Sequence, residues 1–201
     1  MSTQITAARL LELQKMLFDF TEIDRLIYFP DSKRKDRREN NSEHSYSLAM
    51  AAWFLCGFYP HLDKNLVIKY SLIHDIVELH AGDEMAIGRT EKAEQEKVKR
   101  EHLALQTLEK DWSDFSDMTL LVHEYEQRID AESKFVYSLD KLMPLLLNLL
   151  SDGKTWKKYN FTKADIFESK DKKIILSPEV DEIWQIYRNA IDNNEELFNA
   201  S

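Results

Sequence analysis

The stretch Ser71-Leu-Ile-His-Asp-Ile-Val-Glu-Leu-His-Ala-Gly-Asp83 sets a His-Asp pair, a Glu and a second His inside an apolar frame. In a helix His74 and Glu78 lie four apart and Asp75 and Glu78 three apart, so their side chains can converge at one edge. Burying such groups together is costly unless they are hydrogen-bonded or bind an ion. Imidazole and carboxylate suit a borderline or hard divalent cation. The plainer alternative is a polar helix edge with a solvent-facing histidine, since spacing shows only that the groups can meet.

Two further residues bear on that choice. His44 is followed by Leu48, Ala51, Ala52 and Leu55, which places it on the core-facing stripe of a helix. A lone histidine there is ordinarily a core residue; a second His-Asp pair thirty residues on raises its interest. Asp140 sits among Val136, Met143 and Leu147 in a nearly continuous apolar run. An unpaired carboxylate in that position is expensive, so it requires a cation or a metal. Lys141 lies about 100° round the helix, a poor angle for pairing with its neighbour. The run Lys33-Arg-Lys-Asp-Arg-Arg38 is the one dense basic cluster. Lys33, Arg34 and Lys35 also suit a solvated loop, whereas Arg37 and Arg38 lie nearer the next motif and are better placed for anion contact.

The elements that position these groups read as helices. Residues 6–29 carry the stripe Ala7, Leu10, Leu11, Leu13, Met16, Leu17, Phe20 and Ile23, with Arg25 near the helix end. Asn41-Ser42 supplies N-cap chemistry for the His44 helix, which Gly57 ends. Leu66–Leu79 is the His-Asp helix, residues 80–92 a connector, Glu91–Leu108 a charged surface helix and Phe115–Tyr125 an amphipathic one. From Asp130 to Leu150 the chain is apolar nearly all round, which predicts a central helix kinked at Pro144. Trp156, Tyr159 and Phe161 form a packing patch in the loop that follows. Ser177-Pro178 opens a last helix.

At 201 residues the chain suits one domain. Four glycines, four prolines and 31% charged residues favour long helices over a β-sandwich. The single cysteine, Cys56, has no internal disulfide partner and sits in an apolar run. No secretory signal and no membrane span is visible, so a soluble cytoplasmic protein is expected. A net charge of −9 argues against nucleic-acid or membrane partners. It leaves room for one small phosphorylated ligand at a local basic site. With no Walker-type glycine-rich loop, phosphate binding must rest on a metal and arginine rather than on a backbone cradle.

His44, His74-Asp75 and Asp140, in that order on three helices, resemble the HD-domain metal-dependent phosphohydrolases. Arg37-Arg-Glu-Asn-Asn-Ser-Glu-His44, His74-Asp-Ile-Val-Glu78 with Gly82-Asp83, and Leu139-Asp-Lys-Leu142 are similar to the 5′-deoxynucleotidase branch. Glu124-Tyr-Glu126 and Ala131-Glu-Ser-Lys-Phe-Val136, before the final Asp, resemble the related human-type HD-containing proteins. The resemblance implies an all-α HD-domain helical bundle over residues 1–201, with a motif-bearing core near 25–150 and a helical extension at 151–201.

It also implies one divalent metal ion held by His44, His74, Asp75 and Asp140, with Mn, Co, Mg, Ni, Fe and Zn not distinguished. Glu78 and Asp83 match the positions that handle the proton of the attacking water. Arg37 matches a substrate-proximal arginine. Arg25 matches an upstream one, across an insertion of about four residues near Pro30 to Arg34 that borders the expected pocket. The implied activity releases phosphate from a (deoxy)nucleoside 5′-monophosphate by attack of a metal-activated water. Hydrolysis of a nucleoside triphosphate or another phosphate ester, and a non-catalytic nucleotide-binding or structural HD protein, are the alternatives. A homodimer is expected by the same resemblance. The Trp156 patch either serves it or packs onto its own domain.

Overall fold

The computed structural model describes residues 3–30, 36–82 and 90–199. Helix α1 (Thr3–Thr21) stops well short of residue 29 and buries only Phe20; Leu10, Leu11 and Phe18 face solvent. After it, Asp24–Tyr28 forms strand β1, paired antiparallel with β2 (Arg38–Asn40). Leu26, Ile27, Tyr28 and Phe29 are strand formers, and Pro30 biases its predecessor away from the helix. Arg25 therefore projects from a strand and not from a helix end. The Phe29 N–H donates to the Arg37 carbonyl at 3.0 Å, extending the hairpin, and the Asn41 N–H donates to the Ile23 carbonyl at 3.0 Å.

Helix α2 (Asn41–Cys56) is capped one residue earlier than expected. Asn40 accepts the Glu43 N–H at 2.9 Å, and Glu43 accepts the Asn40 N–H at 3.2 Å, a reciprocal capping box. The shift releases the Asn41 side chain for another use. Helix α3 (Lys64–Ile73) starts at Asp63, whose carboxylate accepts the N–H groups of Asn65 and Leu66. It ends at Ile73, so the expected single helix to Leu79 is broken. Residues 74–77 turn with tighter three-residue bonds, Ile76 N–H to the Ile73 carbonyl at 3.0 Å and Glu78 N–H to the Asp75 carbonyl at 2.9 Å. The short α4 (Glu78–Ala81) follows, closed by Gly82 at a φ of 74°.

Helices α5 (Glu91–Asp111) and α6 (Ser116–Gln127) lead to α7 (Ala131–Leu150). Asp130 caps α7 by accepting the Ser133 N–H at 2.7 Å. As its composition predicts, α7 is central, touching α2, α3, α6, α9 and α10 (the last two delimited below), with Phe135, Val136, Leu139, Leu142 and Leu145 buried. The helix runs through Pro144, which has no N–H to offer the Asp140 carbonyl.

The region beyond residue 150 is more ordered than a loop and one terminal helix. It forms α8 (Lys154–Lys158), α9 (Lys163–Ile174), α10 (Pro178–Asp192) and a 3-10 turn at Glu195–Leu197. A capping box between Thr162 and Asp165 opens α9; Ser177 and Pro178 open α10 as expected. Ile166, Ile174, Val180, Trp184 and Ile191 are fully buried in one cluster with Leu48, Phe135 and Leu142. Each aliphatic member contributes about 1.5–3 kcal/mol. Trp156 is buried against its own chain, stacked on Phe198 at 5.2 Å, and Tyr159 stacks on Phe161. Trp156 thus packs within its own chain, while Tyr159 and Phe161 stay partly exposed. Among the described residues no helix is long and apolar enough to cross a membrane.

Candidate active site

The break after Ile73 is where the chemistry gathers. The His74 Nδ1 lies 2.9 Å from the Ser71 carbonyl oxygen. A carbonyl only accepts, so Nδ1 carries the proton. Nε2 then faces the two carboxylates, 2.9 Å from Asp75 Oδ2 and 3.8 Å from Asp140 Oδ1, and is buried without an aligned hydrogen bond. This backbone anchor fixes the tautomer that a metal ligand needs. By taking the Ser71 carbonyl, the ring also competes with the helix ladder where α3 ends.

His44 comes from the first turn of α2 and is fully buried. Its Nε2 lies 2.9 Å from Asp140 Oδ1 and its Nδ1 3.3 Å from Glu39 Oε2. The two histidine rings are 5.2 Å apart. Burial and Arg25 both act to lower the His44 pKa, but Asp140 and Glu39 outweigh them and raise it. Asp140 enters from α7. Burial pushes its carboxyl up, yet Lys141 and His44 more than reverse this and hold it well below the usual carboxylate range. The pairing with Lys141 overturns the expectation from helix angles: the Lys141 Nζ reaches back to Asp140 Oδ2 at 2.5 Å. A four-carbon stem covers the 100° that a short side chain cannot. Asp75 follows the same pattern, pushed up by burial and brought below its ordinary value by His74 and Arg25.

One donor atom each from His44, His74, Asp75 and Asp140 falls within 4.8 Å of the others. Two ligands on opposite sides of one divalent ion stand about 4.0–4.6 Å apart, so the set closes on a single ion with little adjustment. An orphaned imidazole nitrogen facing two carboxylate oxygens is the environment such an ion satisfies. The residues present fit the group.

Glu78, buried at the start of α4, stands beside this set and outside it. Its Oε2 accepts a 2.7 Å hydrogen bond from the Asn41 side chain, the group released by the shifted cap of α2. Arg25 joins the cluster from β1, with Nη1 2.6 Å from Asp75 Oδ2, Nε 3.3 Å from Glu39 Oε2 and Nη2 3.8 Å from Asp140 Oδ1. Arg37 is not brought to the cluster. Its Nη1 donates to both Glu43 oxygens, at 2.5 and 2.6 Å, and its guanidinium lies over the Phe29 ring. Arg38 is likewise turned onto Tyr28. Asp83, with Lys33, Arg34 and Lys35, lies outside the described residues.

The cluster opens into a cavity of about 590 Å³ whose walls include Arg25, His74, Asp75, Glu78 and Asp140, but not Arg37. Four participants escape a reading of spacing. Glu39 is buried beside the basic run. Asn41 was read as a cap. Tyr125 sets its ring 6.3 Å from His74 and keeps its phenol proton, because burial and the two aspartates raise its pKa well above normal. Lys170 arrives from α9, an element with no long apolar stripe. The capping box at Thr162 is the one sequence signal for it.

Residues 31–192 match the HD domain family, and the chain belongs to that family. The match continues through α9 and α10, beyond the motif-bearing core. Over 142 residues the chain is 30% identical to the 5′-deoxynucleotidase HDDC2 of Xenopus laevis, covering 68% of this chain and 66% of that protein. The bovine and human proteins of the same name are each 32% identical, over 112 and 114 residues, or 52% and 53% of their lengths. The matched part of the chain thus spans between half and two-thirds of these relatives. A crystal structure described as a predicted metal-dependent phosphohydrolase, from Magnetospirillum magnetotacticum MS-1, superposes with a TM-score of 0.78 at 28% identity, over 96% of this chain and 98% of that one.

Proposed function

We propose that the protein is a metal-dependent phosphohydrolase that releases phosphate from a nucleoside 5′-monophosphate, deoxynucleotides included. One observation carries this reading: a buried His44, His74, Asp75 and Asp140 set opens onto a cavity with the Glu78 carboxylate beside it. The names of the relatives support the substrate class.

In this reading the four residues hold a divalent ion. When bound, the ion supplies Lewis acidity toward a phosphoryl oxygen and lowers the pKa of water. Glu78, steadied by Asn41, accepts the proton of the attacking water. Asp83 is assigned to share that proton or deliver one to the leaving alkoxide. Arg25, on the cavity wall, balances the cluster's acids and faces the substrate phosphate. Arg37, engaged by Glu43, has no part in the proposal. Tyr125, protonated and facing the cavity, adds a hydroxyl donor.

The test is a nucleotide panel with added Mn²⁺, Co²⁺ or Mg²⁺, assayed for phosphate, pyrophosphate and triphosphate. Phosphate from monophosphates is expected. Pyrophosphate or triphosphate from nucleoside triphosphates would favour the alternative substrate, and no turnover with any metal would leave a binding module. The family resemblance also supports one functional domain acting as a cytoplasmic homodimer, a proposal that light scattering at micromolar concentration and localisation of a tagged chain would check.

A further inference from the structure

Where α7 and α9 meet, the cavity wall is basic, although Glu101 and Glu126 also line the cavity. Lys141 from α7 and Lys170 and Lys173 from α9 all line it. Lys170 is 8% exposed, and among the described residues it makes no hydrogen bond and no ion pair. Arg25 and Lys141 differ in this respect, each engaging a named carboxylate of the cluster. Of the charges acting on Lys170, Lys141 is the strongest and repels it; the attraction of Asp140 comes next, and Lys173 and Arg25 add further repulsion. Burial first, and then Lys141, bring its ammonium down to about 7.

A lysine kept for packing would extend its ammonium to water or meet an acid. Among the described residues Lys170 meets no acid, and it lines the cavity. An anion entering there would supply the missing partner. An ammonium offers three donors on a point charge, which suits a phosphate oxygen. The 590 Å³ cavity also holds more than the phosphate at the cluster.

We infer that Lys170, backed by Lys141 and Lys173, is an anion subsite of the substrate cavity and takes a phosphate oxygen of the substrate. The inference rests on the phosphohydrolase reading and adds to it a specificity-determining residue outside the metal cluster. The oxygen belongs either to the phosphate being cleaved or to a second phosphate of a longer nucleotide.

The experiment compares wild type with Lys170→Met, which keeps the stem and removes the charge, and with Lys170→Arg, which keeps a cation. The first readout needs no turnover: inorganic phosphate is titrated against the melting temperature of the Mn²⁺-loaded protein. Phosphate is expected to raise the wild-type Tm, with its apparent affinity about tenfold weaker in Lys170→Met and partly restored in Lys170→Arg. Kinetics on nucleoside mono-, di- and triphosphates give the second readout, with KM rising about tenfold and kcat changing less. A penalty on monophosphates assigns the cleaved phosphate to Lys170. A penalty confined to longer nucleotides assigns a second phosphate, and either result sustains the subsite. Phosphate affinity and KM equal to wild type for every ligand would overturn it. If no nucleotide is hydrolysed, the phosphate titration still decides the subsite, so the two readings fail separately. Should Lys170→Met not fold, Lys170→Gln carries the same measurements.

Discussion

Asp140 and Lys170 are both buried charges on the wall of one cavity, on the neighbouring helices α7 and α9, and their surroundings are opposite. Asp140 has Lys141 at 2.5 Å, His44 at 2.9 Å and Arg25 at 3.8 Å. Lys170 has no such partner among the described residues. A charge removed from water must be compensated, and these two sites divide the work differently. At the α2–α3–α7 junction the protein supplies the compensation itself, which fixes the geometry of the ligand set. On the α9 side that compensation is left to whatever enters the cavity.

The largest test breaks the enclosed side. Asp140→Ala should lose the metal and leave Lys141 without its acid, destabilising the fold by about 3 kcal/mol, the low end for a buried pair because Lys141 keeps some solvent contact. Elemental analysis and a melting curve on one preparation check this, and unchanged metal content would contradict the assignment. Glu78→Ala should keep the metal and lower kcat by about 10²–10⁴, as loss of a proton acceptor does. Full metal with near-normal kcat would remove Glu78 from the mechanism.

Acid should separate the two sides as well. Asp75 and Asp140 have folded pKa values below their unfolded ones. Their contribution is therefore fully present above the unfolded value, about 4, and is lost as pH falls through the folded values. Melting temperature of the metal-free protein should hold steady between about pH 6 and pH 5, below the titrations of His44 and Lys170, and drop below about pH 4, with a smaller drop in Asp140→Asn. A Tm that rises on acidification through that range would contradict the pairing.

Asn41→Ala should have a smaller effect. It strips a buried carboxylate of one hydrogen bond, at a cost of about 1.5–3 kcal/mol, and should slow turnover without loss of metal. An unchanged melt and kcat would show that Asn41 does not steady Glu78. The smallest effect belongs to Arg37→Ala. Its partly exposed pair with Glu43 is worth about 0.2–1 kcal/mol, and KM should stay near wild type. A large rise in KM would return Arg37 to the substrate site.

The parts of this site that spacing revealed are those whose chemistry conflicts with their neighbours. His44, His74, Asp75 and Asp140 stand in apolar frames, where a polar group demands an explanation. Helix α7 was legible because it is apolar on every side. What stayed hidden depends on geometry that a periodic pattern does not carry. Asn41 was misread because the cap fell one residue earlier, on Asn40. Glu39 is masked by the basic residues before it, and Lys141 by an angle that its flexible stem overcomes. Arg25 reads as helical from sequence because the apolar stripe of α1 runs on into a stretch that pairs as a strand. Lys170 sits on a polar helix whose position against α7 is set by Ile166, Ile174 and Trp184 in the shared core, a long-range contact with no local signature.

Four side chains from α2, the α3–α4 turn and α7 converge on one point where a divalent ion fits. Anomalous diffraction from crystals grown with Mn²⁺ would locate that ion. One strong peak is expected within about 2.0–2.3 Å of a donor atom from each of His44, His74, Asp75 and Asp140, with Glu78 beside the ion and not bound to it. A peak at another place, or one that any of the four fails to reach, would contradict this ligand set.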